Sequence, residues 1–437
     1  MQKFFSGWLL AFSMTIGPFS VVAGEQIPHT PYDLCEGVKW TNKAQEVKMP
    51  IIKEKPEVGV PYIDPVFGTK ITRVSDSEKM GTDVIKPVYS TIQAWNADES
   101  RFFLWHREKG HYLYDGKSYQ MIKPLQFHPS DLEEVLWDPI LPNLLYIIEN
   151  DKVGSKLIQY NVANDKKTVL VDFVKEGICE TGSVVNDANM ISLEGRKIGL
   201  RCYEKDASRM MVYSIDEKKF SRIVTNKELG VHGYTALFTS LSGNTYIANE
   251  KVFDSDVNFQ YKLNVAGSEH STMGQFKDGS DGFFAVAFDP APQHCENGRG
   301  IGMLVTHRFK DHTCHEFFGK STGFPYPPGS VHLSPLSFHN PGWVALSAVG
   351  YENTVTLGED QPLFHQELII SNADAKNHRY CRVGHHRSWG KYGKIGYFAE
   401  PHVTLSRDGR RMLFASDWHD SGSVDTYVLE LPVYRKK

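Results

Sequence analysis

Histidine, tyrosine and glutamate recur at matching places in this chain, each shortly before a polar turn of a repeated strand–turn–strand unit. The matching positions hold Glu400-Pro-His402, His232-Gly-Tyr234, Glu269-His270 and His332. Imidazole, phenol and carboxyl groups are common proton donors and acceptors in enzymes, and clustered titratable groups are enriched at functional sites. If the repeats bring these residues together, we expect a shared site that can transfer protons. The alternative is that they line a channel, hold water and bond to neighbouring strands.

Two histidines near the first repeat extend this set. His106 and His128 bracket the outer strands of the first repeat and the entry to the second. His128 reaches the shared site if its loop folds over it, and otherwise has a surface or capping role. The first repeat also offers Tyr89, Ser90 and Gln93 at the position that other repeats fill with histidine.

Basic and aromatic residues cluster between the sixth and seventh repeats. Arginine can grip a carboxylate or sulfate in a bidentate fork, and aromatic rings can stack on sugars, so the segment suits an anionic carbohydrate. The alternative is a solvated, charged loop. The residues concerned are Arg379, Tyr380, Arg382, His385, His386, Arg387, Trp389, Lys391 and Tyr392.

Cysteine and histidine in the second half of the chain offer the donor atoms of a zinc site. They are Cys295, His312, Cys314 and Cys381. Thiolate and imidazole are ligands of tetrahedral zinc, so the sequence predicts a structural divalent ion, zinc by preference, that holds the loops of the fifth and sixth repeats. A Cys295–Cys314 or Cys314–Cys381 disulfide is the competing interpretation in an oxidising compartment.

A second donor set combines oxygen with imidazole. Glu400, His402 and His332 suit a harder divalent ion where the repeats converge. Two further cysteines, Cys179 and Cys202, flank the third turn and are placed to pair across neighbouring strands.

The elements that must position these groups are repeated strands. Each turn is followed by a strand-like run, such as Arg101 to Trp105 or Met412 to Ala415, and long helical periodicity is absent. The pattern predicts an all-β fold, a seven-bladed β-propeller over residues 86–437, whose first strands bring distant residues to one mouth. The seven turns are Asn96-Ala-Asp-Glu-Ser100, Pro139-Ile-Leu-Pro-Asn143, Ser192-Leu-Glu-Gly195, Ser240-Leu-Ser-Gly243, Phe276-Lys-Asp-Gly279, His339-Asn-Pro-Gly342 and Ser406-Arg-Asp-Gly409.

The N-terminal region has a different character. Residues 1–23 join Lys3, an apolar run and a small-residue site at Ala23, which predicts a secretory signal peptide and an extracellular or periplasmic protein. Residues 24–85 are rich in Pro, Lys and Glu and are expected to pack on the propeller as an irregular lead-in. No later run is long enough to span a membrane. The formal charge of −4 disfavours nucleic acid as a partner, and a monomer is expected.

The last repeat resembles the closing blade of secreted seven-bladed polysaccharide lyases of the ulvan and oligogalacturonate lyase types. The resemblance is carried by Glu400-Pro-His-Val-Thr-Leu-Ser-Arg-Asp-Gly-Arg-Arg-Met-Leu-Phe-Ala-Ser-Asp-Trp418 and Val424-Asp-Thr-Tyr-Val-Leu-Glu-Leu431. Similar phrases begin at Tyr89, Glu269 and His332, so the likeness covers about residues 85–431.

The resemblance implies β-elimination at a uronic acid of an anionic polysaccharide, with ulvan the preferred substrate. This reaction needs a neutralised carboxylate, a base for the α-proton and an acid for the leaving oxygen. In the ulvan-type assignment, His128 or His270 is the base, Tyr234 is the acid, and Lys251 takes the place of a family arginine beside the carboxylate. The substrate-binding set is then His106, Lys251, His332, Arg387, Trp389 and His402.

The oligogalacturonate-type assignment is metal-dependent. His332 and His402 match its histidine ligands, whereas Glu400 and Tyr397 stand where further imidazole or amide ligands are expected. Two other classes stay open: a hydrolase, which generally needs two opposed carboxylates, and a non-catalytic propeller that binds sugar or protein.

Overall fold

The computed structural model describes residues 32–434 except for 151–153, 181–182, 186–190, 205–206, 233–235, 264, 266–269, 288–302, 319–330, 351–357 and 375. Four of the predicted features lie outside the described residues: the signal peptide, Tyr234, Glu269 and Cys295. Across the described ranges, no helix has the length and apolar character needed to cross a bilayer.

The predicted all-β, seven-bladed propeller is confirmed: the described strands form seven antiparallel blades. Turn glycines at the predicted positions adopt left-handed backbone, for example Gly279 (φ +78°) and Gly409 (φ +78°). Glycine adopts this conformation without steric cost because it has no side chain. Each turn is followed by a strand with buried apolar residues.

Three strands precede the first blade: β1 (Val47–Lys48), β2 (Pro61–Ile63) and β3 (Lys70–Arg73). Blade one consists of β4 (Ile85–Lys86), β5 (Arg101–His106), β6 (Gly110–Asp115) and β7 (Met121–Pro124). Blade two consists of β8 (Val135–Trp137), β9 (Leu144–Asn150), β10 (Ser155–Asn161) and β11 (Lys166–Asp172). Blade three consists of β12 (Ser183–Val185), β13 (Lys197–Tyr203), β14 (Arg209–Ser214), β15 (Lys219–Phe220) and β16 (Val224–Thr225).

A single-turn helix, α1 (Asn226–Leu229), leads into the fourth blade. Blade four consists of β17 (Phe238–Thr239), β18 (Tyr246–Ala248), β19 (Lys251–Phe253) and β20 (Phe259–Lys262). Blade five consists of β21 (Ser271–Gln275), β22 (Asp281–Ala287), β23 (Met303–Arg308) and β24 (Cys314–Phe318). The next segment holds β25 (Val331–Ser334), β26 (Trp343–Ala348), β27 (Asp360–Gln361), β28 (Glu367–Asn372) and β29 (Tyr380–His385). Of these, β27 pairs with β1 and the other four strands form blade six.

Blade seven closes the ring with strands from both parts of the chain. Its C-terminal strands are β30 (Thr404–Leu405), β31 (Arg411–Ser416) and β32 (Asp425–Glu430). Strand β3 pairs antiparallel with β32, and β2 pairs with β3 at the outer edge. Part of the predicted lead-in, residues 61–73, therefore forms strands of the last blade.

Apolar side chains fill the interfaces between blades. Ile71 of β3, Leu429 of β32 and Leu368 of β28 are fully buried in one cluster between blades six and seven. Two 3₁₀ turns, Gly390–Tyr392 and Gly396–Ala399, connect these blades and lead directly into Glu400. This connection places the start of the last inner strand next to the starts of β21 and β25.

Candidate functional site

Three inner strands bring three histidines together where those strands begin. His332 lies on β25, His270 directly precedes β21, and His402 precedes β30. The ring centroids of His270 and His332 are 4.5 Å apart, and those of His332 and His402 are 4.2 Å apart. Three of the matching positions found in the sequence, those of His270, His332 and His402, therefore converge in space at this end of the channel, whereas His232 is exposed and its backbone N–H donates to Asn249.

His332, Glu400 and His402 form a buried ligand set. A carboxylate oxygen of Glu400 lies 3.4 Å from Nε2 of His332 and 4.0 Å from Nε2 of His402. One potential ligand atom from each residue lies within 4.8 Å of the others. Within the part of the chain that the structure describes, neither Nε2 atom has a hydrogen-bond partner. Buried imidazole nitrogens without partners are costly, and two imidazoles with one carboxylate suit a divalent transition metal, so the residues fit such an ion.

His402 has a strained backbone. Its φ is +41°, in the left-handed region that non-glycine residues seldom adopt. Such conformations persist where the surrounding structure fixes them, and they cluster at functional sites. We interpret the strain as the cost of orienting the His402 ring toward the cluster.

Lys86 of β4 is part of the same buried site. Its Nζ contacts Nδ1 of His402, and the side chain is almost fully buried. Burial lowers the pKa of Lys86 to about 7, although the carboxylates of Glu133 and Glu400 oppose this change.

The same lack of water shifts the pKa values of the other titratable groups of the site. Burial raises the pKa of Glu400 to about 6, with Lys86 and Lys391 opposing the rise. Burial also lowers the pKa of His332 and of His402 well below the ordinary value, with Lys86 adding to both decreases. Both imidazoles are therefore neutral at neutral pH, which is the form that binds a metal.

A hydrogen bond to the backbone sets the tautomer of His270. Its Nδ1 donates to the carbonyl oxygen of Val331 at 2.6 Å. In the neutral ring, the lone pair is then on Nε2, so Nε2 is the nitrogen that can accept a proton.

Two tyrosines border the cluster. The ring of Tyr89 lies 5.0 Å from that of His402, and the ring of Tyr397 lies 5.1 Å from it. Tyr397 is 48% exposed, whereas Tyr89 is buried. Aromatic rings next to a polar cluster can exclude water and contact a ligand.

Several residues proposed from the sequence lie elsewhere. His106 is fully buried; its Nε2 shares a hydrogen bond of 2.9 Å with the Tyr114 hydroxyl. His128 is exposed near blade two, where its backbone N–H donates to Glu149. Lys251 donates from Nζ to the carbonyl oxygens that end helix α1, at 2.8 Å and 3.0 Å. The structure does not bring these three side chains into the histidine cluster.

Arg387 and Trp389 follow β29. Arg387 is fully buried and donates from Nη1 to the carbonyl oxygen of Pro50 at 3.1 Å and to Nε2 of His419 at 3.2 Å. Trp389 is half-buried, and its backbone N–H donates to Asp417 at 2.9 Å. Arg387 therefore binds the N-terminal segment to the propeller.

The predicted zinc site at Cys314 and Cys381 is wrong. Cys381 forms a disulfide with Cys35, and Cys314 is also disulfide-bonded. A sulfur in a disulfide is no thiolate ligand, and a Cys314–Cys381 bridge is excluded as well. His312 lies in an exposed turn, stacked on Tyr261 at 4.1 Å. The predicted pair Cys179–Cys202 is confirmed.

Lys86 is a site residue that the sequence pattern did not predict. Aligning the repeats by their turns placed Tyr89 opposite the histidines, because it assumed a continuous inner strand. In blade one that strand is interrupted: β4 ends at Lys86, and pairing resumes at Trp95 opposite Phe102. Residues 84–86 directly precede the first repeat, and interpreting them as a buried strand would have placed Lys86 in the site.

The fold and site define a class: a seven-bladed β-propeller with a buried histidine–carboxylate cluster where its inner strands begin. An oligogalacturonate lyase in complex with manganese has the same fold, with 14% identity, a TM-score of 0.57, and coverage of 90% of this chain and 99% of that one. Oligogalacturonate lyase from Vibrio parahaemolyticus has 12% identity, a TM-score of 0.55, and coverage of 90% and 99%. At these identities the likeness establishes the fold. No protein-family profile and no curated protein matches the chain.

The predicted similarity to propeller lyases is thus confirmed at the level of the fold, which the chain shares with oligogalacturonate lyases. The likeness to ulvan lyases stays a prediction.

Proposed function

We propose that the protein is an exported lyase that cleaves a uronate-containing anionic polysaccharide or oligosaccharide by β-elimination. The observation that carries the proposal is the buried set of His332, Glu400 and His402, in a fold shared with a lyase that binds manganese. Two further features support it: His270 beside this set, and the exposed ring of Tyr397 at its border.

In this proposal, His332, Glu400 and His402 hold a divalent ion. When bound, the ion supplies positive charge that neutralises the substrate carboxylate and makes the adjacent C5 proton more acidic. Manganese is the first ion to test. Zinc is less favoured than in the sequence-based prediction, since the thiolates that suggested it are in disulfides.

The chain's own groups carry the proton transfers. His270 takes the C5 proton on Nε2, the bond between C4 and the glycosidic oxygen breaks, and a C4–C5 double bond forms. The leaving oxygen then needs a proton. Tyr234 is the proposed acid, on the sequence argument alone. Lys251 is set aside as the cation beside the carboxylate because its ammonium caps helix α1.

Galacturonate polymers and oligomers are the proposed substrates, with ulvan second. The ulvan-type assignment relied on Lys251, while the metal-dependent assignment relied on His332 and His402, which the structure brings together. The monomeric state and the signal peptide over residues 1–23 remain part of the proposal.

The test is an ultraviolet assay for the unsaturated uronate. Metal-loaded protein is incubated with polygalacturonate, oligogalacturonates and ulvan, with chelator and after re-addition of manganese. We expect absorbance to rise on a galacturonate substrate, to stop with chelator and to return with metal. His402→Ala should lower the rate at least about a hundredfold, whereas the exposed His128→Ala should not. New reducing ends without absorbance would identify a hydrolase, and binding without products would identify a non-catalytic propeller.

A further inference from the structure

Beside the metal-binding set lies an exposed aromatic ring. Tyr397 belongs to the 3₁₀ turn Gly396–Ala399, three residues before Glu400. Its ring is 48% exposed and meets the ring of His402 at 63°, with centroids 5.1 Å apart. One side of this ring therefore faces the buried cluster region while much of its surface is open to solvent.

Phe398, Trp105 and Arg107 form a wall that supports this ring. Phe398 lies 5.7 Å from Tyr397 and stacks on Trp105 of blade one at 5.7 Å, with 25° between the planes. The guanidinium carbon of Arg107 lies 4.1 Å from the centre of the Phe398 ring. Arg107 is held in turn by Asp83 at 2.8 Å. Trp105 belongs to blade one, and Phe398 belongs to the connection that enters blade seven. The wall therefore joins these two parts of the chain.

The charges around the wall are mixed. Lys86 lies 5.3 Å from the centre of the Tyr397 ring, and Lys391 interacts with Glu400. The facing acids are Asp83, which pairs with Arg107, Glu133, which acts on Lys86, and Glu400 itself. Among the described residues named here, three cations are matched by three acids. This balance favours the ring face, and not a cationic pocket, as the feature that would recognise a ligand.

We propose that Tyr397, backed by Phe398, Trp105 and Arg107, is a sugar-binding subsite. Its ring stacks on the apolar face of the pyranose next to the one whose carboxylate lies at His332, Glu400 and His402. Rigid tyrosine rings give large contact area at low cost in conformational entropy, and a binding site combines such surfaces with a few polar groups that fix orientation. This inference rests on the proposed function, because it assumes a sugar acid at the metal-binding set.

The test measures equilibrium binding of galacturonic acid and of trigalacturonate to the full-length, manganese-loaded protein. A His270→Gln background prevents turnover. Tyr397→Ala should weaken trigalacturonate binding about tenfold and leave the monomer and manganese affinities unchanged. Tyr397→Leu should do the same, and Tyr397→Phe should stay within about twofold of the parent. Phe259→Ala is the matched control, since Phe259 is a 56% exposed ring on the outer strand of blade four.

Equal trimer affinity in Tyr397→Ala and the parent overturns the subsite, as does an equal loss for the monomer. The failure of the proposed function is seen separately. If the parent binds trigalacturonate through Tyr397 but the wild-type protein yields no unsaturated product, the subsite stands and the lyase does not. If products form and Tyr397→Ala binds the trimer normally, the lyase stands and the subsite does not.

Discussion

At the residue scale, the site is defined by buried groups whose charges depend on one another. Lys86, His332, Glu400 and His402 share a region almost without solvent contact. Burial favours the neutral form of each group, so an ionised Glu400 requires a nearby positive charge. Lys86 or a bound divalent ion can provide it.

Glu400→Gln tests the carboxylate as a ligand. The amide is nearly the same size but carries no charge, so we expect manganese affinity to fall at least about tenfold. Isothermal titration with manganese measures this. Glu133→Gln is the matched control, since Glu133 acts on Lys86 but is outside the ligand set. Unchanged affinity in Glu400→Gln would remove Glu400 from the metal site.

Metal affinity should also depend on pH. The pKa of Glu400 is raised to about 6, and a metal binds the ionised form, so protons compete with the metal below that pH. The histidines do not add to this step, because their pKa values are lowered and both rings are already neutral. Lys86, whose pKa is about 7 and whose Nζ contacts His402, gains its positive charge as the pH falls through 7 and also opposes the metal. We therefore expect affinity to be level above about pH 8, to decline as Lys86 becomes charged, and to fall up to tenfold more per pH unit below about pH 6. Glu400→Gln should lack the step below about pH 6 and keep the one near pH 7, and a flat wild-type profile would contradict the assignment.

At the element scale, neighbouring blades approach so closely that backbone contacts backbone. Gly199 of β13 faces the residue before β17, and its N–H donates to the Thr239 hydroxyl at 2.9 Å. A Cβ added at Gly199 would lie 1.9 Å from the carbonyl oxygen of Leu237. Only glycine permits this spacing between blades three and four.

Gly199→Ala should therefore destabilise the protein by about 2–4 kcal/mol, since backbone atoms must move apart. The midpoint of urea unfolding measures the change. Gly384→Ala on β29 is the matched control, because its added Cβ meets a methyl carbon of Leu429 at 2.7 Å and that side chain can rotate. We expect a smaller loss there, and an equal loss in the two variants would contradict the backbone explanation.

At the scale of the whole molecule, the ring depends on contacts between distant parts of the chain. Strand β3 pairs with β32, and Cys35 bonds to Cys381 across 346 residues. Asp425 on β32 is fully buried and pairs with Arg73 and Lys55, each at 2.8 Å. The N-terminal segment is thus part of the closure of the propeller.

Asp425→Asn should lower the free energy of unfolding by about 3–5 kcal/mol, since Lys55 and Arg73 lose a fully buried carboxylate and Arg73 is left with its longer pair to Asp76 at 3.6 Å. Guanidinium unfolding followed by tryptophan fluorescence measures the loss. Glu217→Gln is the control, because its pair with Lys219 is exposed and screened by water, so its loss should leave stability almost unchanged. Equal stability of Asp425→Asn and the wild type would mean that the two ion pairs of Asp425 do not hold the ring closed.

The sequence by itself determined the blades and much of the candidate site. Seven polar turns, five of which end in glycine, are each followed by an apolar run. These local signals predicted the seven-bladed ring. Because a propeller places equivalent inner positions side by side, the same alignment brought His270, His332 and His402 together. Glu400 and His402 were also recognisable as a ligand set, since they lie two residues apart before the last inner strand.

The tertiary structure alone decided which partners these groups meet. The interrupted inner strand of blade one puts Lys86, and not only Tyr89, against His402. Cys381 bonds to Cys35 instead of a nearby cysteine, and Lys251 caps helix α1. Partner choice of this kind depends on contacts between residues far apart in the chain and on burial. Local periodicity reports only which face of a strand is apolar, so it carries no information about which distant residues that face will meet.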